Sequence, residues 1–507
     1  MIVDQAFDFP AFNVPSFNTI VIYELHIGTF NNDFAGAIAK LDYLQQLGIN
    51  AVEVMPVTQN PLFSDHTPTD HDWGYDPVQL FAIKSKYGTP HDFKEFVKQC
   101  HLRHIAVIVD VVYNHLVGNN LLKRFGGFSL ASIPNGIYLY GGDRVDTGFG
   151  PRPDFGRPQV RQYIADNALT LLQDYNVDGL RFDDTRDIRT YAKGNGRENN
   201  AEGIQLLREI NAAYRTTAPE KLSIAEDLQS YGEIVNRTDA DPTALEFNSQ
   251  WDDTLFYNVR RAMVAVNDQD RNLQDVTRSL ELKLNNDVFS RVIYTENHDK
   301  VGHPDDSDKQ TRLPALIDVN DPESVFAKRR STLAAGILLT APGIPMLFQG
   351  QEMLDTRAFG FKSQTPVDFG RAENPKYRGI VQLYRDLIAL RRNVAGKSRG
   401  LTGQNLNVFH VDDGNKTLAY HRWENGDAGD DVVVAANLSN NRQAALNIGF
   451  PRGGLWHVRF NSGAKVYDPS FENGDSFDTL ASPGGKDGLA FNANVGIGPY
   501  SIVILSQ

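Results

Sequence analysis

Runs of consecutive apolar residues recur along most of the chain, each followed by a stretch whose apolar positions fall on one helical face. Residues 19–27 form one such run, as expected of a strand buried on both faces. Phe34, Ile38, Leu41, Leu44 and Leu47 then share a helical face, Gly48 ends the pattern, and residues 51–56 read as the next strand. The alternation continues with a helix over 91–103 and a strand over 105–113. A helix opening after Pro158 leads to a strand at 177–184, and one over 201–214 leads to a strand at 222–226. Further strands are expected at 244–247, 292–296 and 345–349, which brings the total to eight. Eight strands alternating with helices predict an α/β fold, a closed (β/α)8 TIM barrel rather than an open sheet.

Two departures from this rhythm set the domain organisation. Residues 116–156 are rich in Gly, Asn and Asp without a strong period, and a loop this long inside a compact domain is usually functional. A small inserted subdomain beside the barrel mouth is expected there. Beyond a last barrel helix over 377–392 the texture changes to short alternating runs broken by turn signals, predicting an all-β sandwich over 396–507. The barrel is thus expected over 18–115 and 157–395, behind an extended lead-in at 1–17.

Charge and composition narrow the partners. A formal net charge of −13 argues against nucleic acid or an anionic membrane and suits a neutral substrate. No apolar run approaches the ~18 residues needed to span a bilayer. Cys100 is the single cysteine, so no internal disulfide is possible, and it reads as a buried, inert helix residue. Residues 1–10 lack a basic region followed by an apolar core, so a cytoplasmic monomer is expected, with a secreted mature form as the alternative if the N-terminus was trimmed.

The candidate chemistry lies at the strand ends. On the fourth strand Arg181 and Asp183 are two residues apart and point the same way, while Phe182 and Asp184 point the other. Asp183 therefore reads as a nucleophile held ionised by Arg181, against the alternative of a structural ion pair at the barrel rim. Asp110, Asn114 and His115 follow the third strand, Glu226 the fifth, and Asn297, His298 and Asp299 the seventh. Carboxylates crowded at a barrel mouth shift one another's pKa, which separates acid from base. Paired carboxylates with aromatic neighbours are what glycosidic cleavage requires. Trp251, Trp423 and Trp456 read as core or interface residues rather than sugar platforms.

Six ordered motifs carry a resemblance to the α-amylase superfamily (glycoside hydrolase family 13): Trp73-Gly-Tyr75, Asp110-Val-Val-Tyr-Asn-His115, Gly179-Leu-Arg-Phe-Asp183, Ile224-Ala-Glu226, Glu296-Asn-His-Asp299 and Gly343-Ile-Pro-Met-Leu-Phe-Gln-Gly-Gln-Glu352. The resemblance implies Asp183 as nucleophile, Glu226 as general acid and base, and Asp299 as the third carboxylate. It implies that His115 and His298 bond the sugar at the cleavage site, that Tyr75 stacks beneath it, and that Asp110 orients Arg181. The substrate implied is a starch- or glycogen-type α-glucan or a maltooligosaccharide, cleaved at α-1,4 bonds with retention. No cofactor is implied for the chemistry; a structural calcium with Asn114 as ligand is the one metal expectation. The opening Ile22-Tyr-Glu-Leu-His-Ile-Gly-Thr-Phe30 looks more like branching enzymes and maltooligosyltrehalose trehalohydrolases, which are the alternative activities. A non-catalytic glucan-binding protein is a third. At the positions where typical α-amylases carry Lys-His after the nucleophile, the chain has Arg186 and Asp187.

Overall fold

The computed structural model describes all residues except 1–6, 61–72, 117–121, 123–135, 229–231, 237–243, 303–310, 361–364, 428 and 474–475. Eight parallel strands close into a barrel in sequential order: β1 (Ile22–Leu25), β2 (Ala51–Val54), β3 (Ala106–Val111), β4 (Gly179–Phe182), β5 (Leu222–Ala225), β6 (Ser249–Asp252), β7 (Arg291–Tyr294) and β8 (Ile344–Phe348). The alternation of side chains along each strand divides the core. Ile22, Ala51, Ile108, Leu222, Ile224, Val292 and Met346 pack inside the barrel. Tyr23, Val52, Val109, Leu180 and Leu347 face the surrounding helices. Continued toward the C-terminal ends, the interior parity of β1 to β4 falls on Glu24, Glu53, Asp110 and Arg181. The registers place these in adjacent pairs, Glu24 opposite Glu53 and Asp110 opposite Arg181. The barrel is therefore filled by hydrocarbon below and by charge above.

Local signals fix the helices. Thr89 and Asp92 form a capping box around Pro90 and start α1 (Pro90–His101), while Pro158 occupies the first turn of α2 (Pro158–Gln173). A short α3 (Thr185–Arg189) follows β4, and α4 (Ala201–Thr217) leads to β5. α5 (Val325–Thr340), buried from Ala327 to its end, precedes β8, and α6 (Arg378–Arg391) closes the barrel. The single helix expected through Phe34 and Leu47 is two, Phe34–Ile38 and Leu41–Leu47, separated by a turn at Ala39 and Lys40. Among the described residues, no helix is long and apolar enough to cross a membrane.

The sixth strand differs from expectation. Residues 244–247 are irregular, with Glu246 at φ +62°, and Leu245 and Phe247 donate to Glu233 and Ile234 rather than to a barrel neighbour. The strand lies just beyond, over Ser249–Asp252. Its polar residues are tolerated because they find buried partners: Ser249 Oγ donates to the Phe289 carbonyl at 2.6 Å, and Asp252 pairs with Arg291.

Eight further strands, β9 (Asn405–Asp412), β10 (Thr417–Trp423), β11 (Val432–Asn437), β12 (Gln443–Phe450), β13 (Gly454–Asn461), β14 (Thr479–Lys486), β15 (Leu489–Ile497) and β16 (Ser501–Ser506), form one antiparallel sheet in the order β9-β10-β11-β16-β13-β14-β15-β12. It folds over a core in which Val433 and Leu505 meet Ile448, Trp456 and Val495, so the sandwich is one sheet turned on itself. Alternate residues of β10, β11 and β16, among them Tyr420, Val434 and Ile502, face the barrel side instead. Of the expected inserted subdomain, residues 117–121 and 123–135 lie outside the described residues. The remainder runs as turns joined by bridges between Leu139 and Pro153 and between Asp146 and Pro151.

Candidate active site

Arg181 sits at the centre of the barrel mouth. It is 1% exposed, its guanidinium lies 4.1 Å from the buried Trp251 ring, and it reaches three carboxylates. Nη1 contacts Asp110 Oδ2 at 2.6 Å and Asp183 Oδ1 at 3.0 Å, while Nη2 contacts Glu226 Oε2 at 2.8 Å. Burial opposes its charge, but the carboxylates of Asp110 and Glu226 outweigh that and hold Arg181 well above its ordinary range. Arg181 is thus shared, and its shortest contact is to Asp110 rather than to the expected partner Asp183.

Asp183 extends the β4 ladder by one residue, its N–H donating to the Val111 carbonyl at 3.0 Å. Its second oxygen accepts from Asn114 Nδ2 at 3.0 Å, so both carboxylate oxygens are engaged by N–H donors. Burial first, then the charge of Glu226, push its pKa well above the usual carboxylate range against the pull of Arg181. Asp183 and Glu226 thus share one arginine, which stabilises negative charge on the pair. On Glu226 both donors, Arg181 Nη2 and the Asp184 N–H at 2.8 Å, fall on Oε2. The side chains of Asp183 and Glu226 are 14% and 16% exposed, both at the floor of a cleft of about 490 Å³.

Six of the eight residues expected to act on substrate line this cleft: Tyr75, His115, Asp183, Glu226, His298 and Asp299. Asp110 and Arg181 lie behind it. Asp110 is 2% exposed and accepts from Tyr75 Oη at 2.6 Å as well as from Arg181; burial pushes its pKa up despite the arginine. The Tyr75 ring stacks on His298 with centroids 5.1 Å apart and planes at 20°. His115 donates from Nδ1 to Asn114 Oδ1 at 2.8 Å, and burial lowers its pKa to about 4, so the imidazole is neutral.

Asn114, the residue expected as a calcium ligand, bridges two site residues. It is fully buried, its amide nitrogen is spent on Asp183 and its oxygen on His115. Among the described residues no group of three or more His, Cys, Asp or Glu is arranged to hold a metal ion. Cys100 is buried in the core, as are Trp251 and Trp456; Trp423 is partly buried and stacks on His421 at 4.4 Å.

Strand parity failed at Asp184. The strand ends at Phe182, and Asp184 takes a left-handed conformation (φ 34°) from which its carboxylate accepts the Asp187 N–H at 3.3 Å and caps α3. Asp184 consequently lines the cleft instead of pointing away from it, together with Arg186. Asp187 turns inward and pairs with Arg197, and Asp227 takes Arg189 at 2.7 and 3.1 Å. Trp73 and Phe149 also line the cleft and were not singled out as site residues. The Trp73 motif could have flagged the former; Phe149, 67% exposed and 5.9 Å from the His115 ring, lies in a stretch without period.

Residues 20–122 and 150–391 match the alpha amylase catalytic domain, and residues 409–507 match the alpha amylase C-terminal all-beta domain. The chain belongs to the alpha-amylase family. Members of this family are glycoside hydrolases and transglycosylases of α-glucans, and two curated relatives span both alternatives raised by the sequence. One is a 1,4-alpha-glucan branching enzyme of Pseudomonas fluorescens, 27% identical over 96% of this chain and 65% of its own length. The other is a malto-oligosyltrehalose trehalohydrolase of Saccharolobus solfataricus, 29% identical over 68% of this chain and 58% of its own. The chain thus spans less than two thirds of each of these relatives. Among solved structures, an alpha-amylase from Geobacillus thermoleovorans complexed with acarbose superposes with a TM-score of 0.71 at 17% identity, over 97% of this chain and 99% of its own, and shares the alpha-amylase fold.

Proposed function

We propose that this alpha-amylase family chain cleaves α-1,4-glucosidic bonds of starch- or glycogen-type glucans or maltooligosaccharides with retention, through a covalent glycosyl-enzyme. The observation that carries the reading is the single guanidinium of Arg181 joined to both Asp183 and Glu226 at the cleft floor. A retaining mechanism needs two closely spaced carboxyls in opposite protonation states, and one cation shared by both supports that spacing.

In the proposed first step Asp183 attacks the anomeric carbon while the glycosidic C–O bond breaks. Glu226 gives its proton to the departing oxygen. The orientation of Glu226 supports this role, because both of its donors are on Oε2 and Oε1 remains to carry the proton. In the second step Glu226 takes a proton from the incoming hydroxyl, which attacks the same carbon and releases Asp183. Tyr75 offers a flat face to the sugar, and His115, His298 and Asp299 take its hydroxyls.

Water as acceptor gives hydrolysis, the reading we favour. A sugar hydroxyl as acceptor would give branching, and an α-1,1-linked terminal unit would give trehalose release; the names of the two relatives motivate keeping these as the second reading. Incubation with maltoheptaose and amylopectin separates them. A steady rise in reducing ends supports hydrolysis. Falling iodine colour with new α-1,6 linkages and constant reducing ends overturns it in favour of transfer.

A further inference from the structure

Glu24 lies in the middle of β1, 1% exposed, where an aliphatic residue would satisfy an interior strand position without the cost of burying a carboxylate. Both of its oxygens go to one residue. Oε2 accepts the backbone N–H of His298 at 2.9 Å, and Oε1 accepts from His298 Nδ1 at 2.6 Å. The contact spans from β1 past β8 to the loop after β7, and it ties down the imidazole that lines the cleft beside Asp299. The rest of the ring's surroundings are aromatic: Tyr75 stacks on it, Trp73 meets it edge-on at 5.1 Å, and Trp251 is 6.0 Å away. Aromatic faces hold the plane of a ring but do not choose its tautomer. A carboxylate acceptor at Nδ1 does.

We infer that Glu24 is a positioning residue for His298, a two-point clamp that fixes the imidazole as the Nδ1–H form and turns Nε2 to the substrate. The inference deepens the glucan-cleaving reading and rests on it for the word substrate; the clamp itself does not. Glu24→Gln is the informative change, because it replaces two acceptors with one acceptor and one donor. The backbone N–H of His298 can only donate, so it keeps the Gln oxygen. The Gln amide then faces Nδ1, which must become an acceptor, and the ring proton moves to Nε2.

The test uses the full chain labelled with 15N-histidine, His298 being assigned by its loss in His298→Ala. The expected result is a Nδ1–H pattern for His298 in the native protein and a Nε2–H pattern in Glu24→Gln. In parallel, kcat/KM on maltoheptaose should fall by roughly 10–100-fold, the size known for carboxylates that orient metal-ligating histidines. Glu24→Asp, which keeps both acceptors on a shorter arm, should retain more activity than Gln. Glu24→Gln combined with His298→Ala should be no worse than His298→Ala alone, since the Gln oxygen still accepts the residue-298 N–H and the ring contact is already gone. An unchanged His298 tautomer in Glu24→Gln, or losses that add in the double variant, overturns the clamp. Failure of the functional reading looks different: the tautomer switches as expected while the native protein turns over no α-glucan.

Discussion

At the scale of single residues, the site separates groups that touch substrate from groups that set their state. Asp183→Asn removes the attacking oxygen and should lower turnover by at least ~10³-fold, whereas Glu226→Gln removes a proton donor worth about 10²–10⁴-fold. Glu226→Gln should recover on aryl glucosides whose leaving group needs no proton, and Asp183→Asn should not; recovery of Asp183→Asn without recovery of Glu226→Gln would exchange their roles. His115 is buried with a pKa near 4, so below about pH 6.5 the unfolded chain binds a proton that the folded chain refuses. Stability is lost as pH falls from about 6.5 toward 4, by up to roughly 3 kcal/mol from this residue. Melting curves of His115→Gln against the native protein should diverge with pH across that window and run parallel above it. Glu53 gives the opposite sign. Burial, then the charge of Glu24 opposite, push its pKa well up. Here the folded chain holds a proton that the unfolded chain has lost above about pH 4.5, so stability falls as pH rises. Glu53→Gln should abolish that slope, and a slope unchanged by the substitution would place the proton elsewhere.

At the scale of elements, the sequence was most legible where burial and period agree. β1 to β5 and their helices follow from runs such as residues 105–113, and the charged ends at Asp110, Arg181 and Glu226 announced the site. β6 was misplaced because its residues Ser249 and Asp252 satisfy their polarity through distant partners, which no local pattern records. Glu24 and Glu53 were passed over as isolated charges inside apolar runs, since only the barrel's closure aims them at one interior. The turn after β4 escaped parity reasoning altogether, because Asp184 leaves the extended region and starts α3. That turn makes an element-scale prediction. Asp184 combines a left-handed backbone with a side-chain cap and presents its N–H to Glu226. Asp184→Ala should cost about 2 kcal/mol, roughly half from the backbone and half from the lost cap. Asp184→Asn, which tolerates the conformation and keeps an acceptor, should cost much less. Equal melting temperatures for the two variants would remove both the strain and the cap from the explanation.

At the scale of the molecule, the barrel and the C-terminal sheet are joined by a face that leaves no room to slide. Arg422 on β10 is fully buried and donates to the Thr340 carbonyl at the end of α5 at 2.6 Å and to the Gly403 carbonyl at 2.7 Å. Beside it, Gly336 on α5 faces Ile502 on β16 so closely that any Cβ would overlap the Ile502 Cγ2 methyl. A helix-interior glycine is otherwise a poor choice, costing up to about 1 kcal/mol against alanine, so the close approach is what it provides. Gly336→Ala should therefore destabilise, against its propensity, by roughly 1–3 kcal/mol through overpacking. Ile502→Ala alone opens a cavity and should also destabilise. Together the two changes should cost less than their sum, because the new methyl enters the space the isoleucine vacates. The same variants should expose the connection between α6 and β9 to protease, releasing the sheet from the barrel. Strict additivity in the melting data, with the connection still protected in Gly336→Ala, would mean that the two units are held by the Arg422 hydrogen bonds and not by the fit of Gly336 to Ile502.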